Sequence, residues 1–183
     1  MAELSGKKIL VLVTNQGVEQ DELKVPLEKL RADGAEVTVA APETGEVKSL
    51  VGDDRGETFP VDQTISSVNE SEYDLLLLPG GTLNADALRL NEDAQEIAKS
   101  FASSGRPVAA LCHGPWLLVE TGVVDGKTLT SYASLKTDIT NAGGNWVDQE
   151  VKVCPANEWT LITSRDPGDL EAFVGAIKEQ LSI

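Results

Sequence analysis

Histidine is nearly absent from this chain, with one in 183 residues, and cysteine occurs only twice. Two distant cysteines and a single histidine cannot gather the several close ligands that a zinc site needs. Nor do two cysteines make a disulfide framework. No metal or other cofactor is expected. Basic residues are scarce as well, since 15 Lys and Arg face 30 Asp and Glu for a formal net charge of −15. Nucleic acid and anionic membrane both require clustered cations, so neither is expected as a partner. The negative charge itself serves solubility and identifies no substrate. Long apolar runs are missing too. The runs Ile9 to Val13 and Leu75 to Leu78 are far too short to cross a bilayer. No basic, apolar and small-residue succession marks a secretory signal. These absences predict a cytoplasmic protein. Without repeats, low-complexity tracts or a linker, residues 1–183 are expected to form one domain.

What is present is a regular alternation. Hydrophobic residues make up 41% and charged residues 25%, ordinary for a soluble globular chain. Continuous apolar or β-branched runs predict strands over residues 7–14, 36–41, 74–78, 106–111, 128–132, 151–154 and 159–163. Helical spacing of Leu23, Leu27 and Leu30 predicts a helix over 21–33, stopped by Gly34. Further helices are expected over 91–104, from Pro115 to Thr121, over 135–142, and from Asp166-Pro167 to about Leu181, with Asp166 as N-cap. Residues 45–61 carry turn and β-branched residues and predict a short hairpin outside the core. Alternating strands and helices imply an α/β fold, a doubly wound, mostly parallel sheet with helices on both faces.

In such a fold, ligands bind where strands end at their carboxyl edge. Three segments end there with unusual chemistry: 14–22, Pro79-Gly80-Gly81 and Cys112-His113-Gly114. The run Val108 to Leu111, then Cys112, then Gly114-Pro115 before an apolar helix, has the form of a nucleophile elbow. Free N–H groups and the positive end of a helix there would favour thiolate over thiol. Cys112 is therefore the candidate nucleophile, and Cys154, in mid-strand, is expected to be structural. His113 is the only side chain with an ordinary pKa near neutrality, and so a candidate base. As the next residue, it need not place a ring nitrogen against the sulfur; the alternative is a purely conformational role. Glu19 and Glu22, three apart at a helix start, share a face. Either they suit the helix dipole, or one is held protonated by burial and donates a hydrogen bond to the sulfur. Gly80 and Gly81 permit close backbone approach, and the N–H groups of Gly81 and His113 are candidates for an oxyanion hole.

Together these residues resemble the ThiJ/PfpI superfamily, in its PfpI-like branch of intracellular proteases and general stress proteins. The markers are Gly17-Val18-Glu19-Gln20-Asp21-Glu22-Leu23 before Pro26, Leu78-Pro79-Gly80-Gly81, Ala110-Leu111-Cys112-His113-Gly114-Pro115 and Ser131-Tyr132. The resemblance extends from Lys7 to Leu181. It implies a flavodoxin-like fold shared with class I glutamine amidotransferases, Cys112 as nucleophile, and Glu22 as the carboxyl group beside its sulfur. It further implies His113 as the neighbouring histidine and Tyr132 approaching the same pocket. The family's histidine takes its acidic partner from a neighbouring subunit, in the segment after Pro-Gly-Gly. Asp86 is the matching candidate here, so a homodimer is the least assembly expected. Glutamine amidotransfer itself is excluded, because its triad needs a later histidine and none follows His113.

Three functions remain open. The first is an enzyme acting on small reactive carbonyls or their protein adducts, glyoxalase-like or deglycase-like, with no cofactor. The second is a cysteine peptidase that pairs His113 with Asp86 of another chain. The third is a redox-sensing or chaperone-type stress protein with an oxidisable Cys112.

Overall fold

The computed structural model describes residues 3–183. Its centre is a sheet of seven strands built from β1 (Lys8–Leu12), β3 (Glu36–Ala41), β6 (Gln63–Thr64), β7 (Leu75–Leu78), β8 (Val108–Leu111), β11 (Lys152–Cys154) and β12 (Leu161–Ser164). In space the order is β11-β12-β8-β7-β1-β3-β6. Every pairing is parallel except β11 against β12, an antiparallel edge. The unbroken apolar strands follow from this position, since a parallel strand covered on both faces meets no water on either side.

One face of the sheet carries α1 (Gln20–Ala32) and α6 (Leu170–Leu181). There Ile9, Val11 and Val13 pack with Leu23, Leu30, Phe173 and Ile177, all wholly buried. The opposite face carries α3 (Glu92–Ser103), α4 (Trp116–Thr121) and α5 (Lys136–Asn141), where Leu10, Leu12, Leu76 and Leu78 meet Phe101, Leu117, Leu118 and Ile139. Each such buried side chain contributes about 1.5–3 kcal/mol relative to exposure. Asn91 caps α3 by accepting the Ala94 N–H at 2.9 Å, and Asp166 caps a 3₁₀ turn over Pro167–Asp169 that leads into α6. No helix among the described residues is long and apolar enough to cross a membrane.

The structure departs from the sequence pattern in several places. Strand β2 (Gln16–Glu19) follows β1 almost at once, and pairs in parallel with β4 (Glu46–Val51), itself antiparallel to β5 (Asp54–Pro60). A register shift and Gly17 at φ +104° hide β2 from a reading by alternation. The hairpin expected outside the core is partly inside it: Val47 and Phe59 point inward and join the α1 side. The strand expected over 128–132 is only β9 (Thr128–Leu129), paired with β10 (Asn145–Trp146). A helix that the pattern did not predict, α2 (Thr82–Leu88), follows Gly81.

This topology fixes where a site can form. The chain leaves β1 towards β3 on one side and later re-enters as β7 on the other. Connections that part in this way open a crevice at the carboxyl ends of the strands. The residues following β1, β7 and β8 meet there.

Candidate active site

Cys112 follows β8 directly, with φ at +61°, a left-handed conformation rare for a residue with a side chain. Its surroundings hold it there. The Cys112 N–H donates to the Ser164 carbonyl at 3.1 Å, and its own carbonyl accepts the Tyr132 N–H at 2.9 Å. Gly114 completes the turn, donating to the Leu111 carbonyl at 2.9 Å. A Cβ on Gly114 would collide with the Leu78 carbonyl oxygen, so β7 and this turn can lie together only with glycine. Helix α4 then begins at Trp116 and lasts six residues. The helix-dipole assistance expected for the sulfur is thus small, because the helix is short and starts four residues on. Backbone N–H groups of Gly81 and His113 approach the sulfur instead.

Glu22 reaches the same point from the first turn of α1, and is 1% exposed. Its Oε1 accepts the Gly80 N–H at 2.8 Å, while Oε2 is buried without a hydrogen-bond partner. Burial pushes its pKa up to about 8, against the opposing pull of the Gly80 N–H. Burial also pushes the Cys112 thiol up, and the adjacent Glu22 carboxylate adds to this; the N–H groups of Gly81 and His113 oppose both. Two acids this close titrate as a pair. A proton held on Glu22 removes the very charge that disfavours the thiolate.

The Pro79-Gly80-Gly81 turn is the spacer between these two acids. A Cβ on Gly80 would lie 2.8 Å from the Cys112 Cβ and closer still to Glu22 Oε1. Gly81, at φ +85°, passes equally close to the backbone of Gly17 and Glu19. Asn84, wholly buried in α2, ties the arrangement together. Its Oδ1 accepts the Thr14 N–H at 2.7 Å, and its Nδ2 donates to the Gly80 carbonyl at 2.9 Å. Sequence reasoning missed Asn84; its only signal was a polar residue three positions after the double glycine.

His113 places Nδ1 3.1 Å from Cys112 Sγ, the contact that adjacency alone did not guarantee. Burial lowers its pKa and favours the neutral ring. The ring stacks on Tyr132 with centroids 4.7 Å apart, and meets Trp116 edge-on at 5.2 Å. Nε2 faces the hydroxyls of Thr82 at 3.4 Å and Ser134 at 3.5 Å, two neighbours that the sequence did not single out. Asp86 is not among them: it lies exposed on α2 and makes no hydrogen bond to its own chain's His113. Tyr132 lines the cavity and is 44% exposed.

Glu19 and Glu22 part company in the structure. Glu19 is the extended last residue of β2, φ −66° and ψ 125°, so it does not share a helical face with Glu22. Its carboxylate accepts the Gly52 N–H at the hairpin tip, 3.3 Å away, and lines the rim of the cavity. That cavity, about 580 Å³, has Cys112, His113, Glu22 and Gly81 in its wall.

The sequence matches the model of the DJ-1/PfpI family over residues 7–180. It is 41% identical over 167 residues to the deglycase PfpI of Pyrococcus furiosus, covering 91% of this chain and 95% of that protein. Identity to general stress protein 18 of Bacillus subtilis is 39% over 168 residues, 92% of this chain and 94% of the relative. Among solved structures, a two-domain protein from Anabaena variabilis, with DJ-1/ThiJ/PfpI-like and ferritin-like domains, superposes with a TM-score of 0.86 at 34% identity. That match covers 96% of this chain and 48% of the two-domain chain.

Proposed function

The chain belongs to the DJ-1/PfpI family, and from that premise we propose that it is a cysteine-dependent stress-response enzyme acting on small reactive carbonyls or the adducts they leave on proteins. The observation that carries this reading is the buried carboxyl of Glu22 set against the Cys112 thiol at the wall of a partly open cavity. A space of about 580 Å³ suits a small carbonyl or one side chain better than an extended peptide.

Of the two acids, the carboxyl is the more deeply buried and receives one backbone N–H, whereas the sulfur receives two. A large, polarisable thiolate also tolerates burial better than a carboxylate. The remaining proton therefore rests on Glu22, which donates it as a hydrogen bond to the sulfur. With methylglyoxal, the thiolate adds to the aldehyde carbon and forms a hemithioacetal, its oxygen received by the N–H groups of Gly81 and His113. The neutral His113 ring then takes the proton from the former aldehyde carbon and returns one to the neighbouring carbon. The aldehyde carbon is thereby oxidised and the ketone carbon reduced, giving a thioester. Water cleaves the carbon–sulfur bond, lactate leaves and the thiolate is restored. One dicarbonyl and one water give one hydroxy acid, and no cofactor enters.

A second reading, intracellular cysteine peptidase activity, is favoured by one contact: among the described residues His113 Nε2 meets only hydroxyls, at 3.4 and 3.5 Å. A carboxylate from Asp86 of a second copy would complete a Cys-His-acid arrangement there, in a homodimer or higher oligomer. Purified protein is assayed on methylglyoxal and on an unfolded protein substrate, beside Cys112→Ala. Lactate formation that falls at least ~100-fold in the variant is the expected result. No lactate at any enzyme concentration, with Cys112-dependent peptide release, overturns the carbonyl reading in favour of the peptidase. Peroxide-induced mass gain at Cys112 without any turnover overturns both in favour of a redox sensor.

A further inference from the structure

Four carboxyl-bearing residues line the cavity over Cys112: Glu19, Glu22, Asp53 and Asp166. Among the described residues no lysine or arginine does. They arrive from different elements, so the grouping is not an accident of one acidic run. Glu19 ends β2 and Glu22 opens α1, while Asp53 sits in the two-residue turn between β4 and β5. Asp166 caps the 3₁₀ turn before α6. Glu22, whose buried carboxyl holds its proton, adds no charge at the wall, so Glu19, Asp53 and Asp166 supply the negative field.

Nearby cations do not neutralise the group. Arg165, next to Asp166, commits Nε and one terminal nitrogen to Asp169 at 2.9 Å, and the other to Asp148 at 3.0 Å. Lys48 and Arg55 of the hairpin open on a different cleft. His113 is held towards its neutral form by burial. A cleft lined by one sign of charge concentrates ions of the opposite sign and repels its own, by tenfold or more.

We propose that this mouth is an electrostatic filter, in which Asp53 and Asp166 are specificity-determining residues that admit cationic electrophiles to Cys112 and turn anionic ones away. The inference rests on Cys112 being the nucleophile. It narrows the substrate class to a carbonyl borne on a molecule with a protonated amine, rather than an oxo acid or a sugar phosphate. Methylglyoxal, being neutral, is indifferent to the filter.

The test uses two thiol reagents of similar size, methanethiosulfonates bearing a trimethylammonium or a sulfonate group. Each forms a disulfide with the thiolate as its own S–S bond breaks and methanesulfinate leaves. The full-length protein carries Cys154→Ser so that Cys112 is the only thiol, and 2-mercaptoethanol provides the intrinsic ratio of the two rates. Taking a ratio cancels changes in the reactivity of Cys112 itself. At low salt the protein's cation-to-anion ratio is expected to exceed that of mercaptoethanol about tenfold, and to collapse towards it in high salt. Asp53→Asn and Asp166→Asn should each lower the ratio severalfold, and Asn retains the capping acceptor at position 166. Glu92→Gln, an equal loss of charge on α3 outside the cavity lining, should leave it unchanged. Unaltered ratios in the two Asn variants, or an equal fall in Glu92→Gln, overturn the filter. Failure of both reagents to label Cys112 overturns the nucleophile reading, and the filter with it.

Discussion

At the scale of the residue, the site depends on groups that have no alternative. Gly80 separates Glu22 from Cys112 with no room for a methyl group, so Gly80→Ala should displace one of them and abolish turnover in a steady-state assay. Glu22 makes a prediction with a definite sign. Its folded pKa, about 8, stands above the ordinary 4.5, so the folded protein holds a proton that the unfolded chain releases first. The associated stability is present below pH 4.5 and is lost as pH rises towards 8. Melting temperatures of the wild type should therefore decline relative to Glu22→Gln across that window; parallel curves would contradict the buried neutral carboxyl. Cys112 and Glu22 were legible in the sequence, through a strand–cysteine–glycine–proline run and a helix-start acid. Asn84 was not, because its work is done by hydrogen bonds to Thr14 and Gly80 that no local pattern records. Asn84→Ala should cost about 1–3 kcal/mol in chemical denaturation by leaving those partners unsatisfied.

At the scale of the element, the sheet strands were legible because double-sided burial writes itself as continuous apolar residues. The elements missed are short and are held by tertiary contacts rather than by propensity. Strand β2 is made by pairing with β4 around a positive-φ glycine, and α2, at seven residues, lacks a side-chain cap. Both matter to the site. Gly17 lies so close to α2 that a Cβ there would meet the Leu83 Cβ at 2.7 Å, which presses the Pro-Gly-Gly turn onto the entry to α1. The hairpin over β4 and β5 is legible from its turn and β-branched residues, but its depth is not. Its Phe59 is anchored in the core while its tip contributes Gly52 and Asp53 to the cavity. Phe59→Ala should cost about 3 kcal/mol and loosen that tip. The expected signature is a raised KM with kcat largely retained, and an unchanged KM would detach the hairpin from substrate binding.

For the whole molecule, the strand order and the crevice between diverging connections decide where chemistry occurs. Three chain segments far apart in sequence contribute one acid, one turn and one thiol to a single point. Oligomer-dependent completion is tested by mixing Cys112→Ala with Asp86→Ala protein. Recovery of activity above either variant alone is the result expected if Asp86 serves a neighbour's His113, and no recovery would confine the machinery to one chain. The central claim, though, is that the fold leaves the pair's remaining proton on Glu22 and the negative charge on sulfur. Ultraviolet thiolate absorbance of the Cys154→Ser protein, titrated with pH against a Cys112→Ala control, measures this directly. The account predicts a Cys112 thiolate already present at neutral pH, below the range of an ordinary thiol at about 8.5. A thiol that stays protonated until well above that range would contradict it.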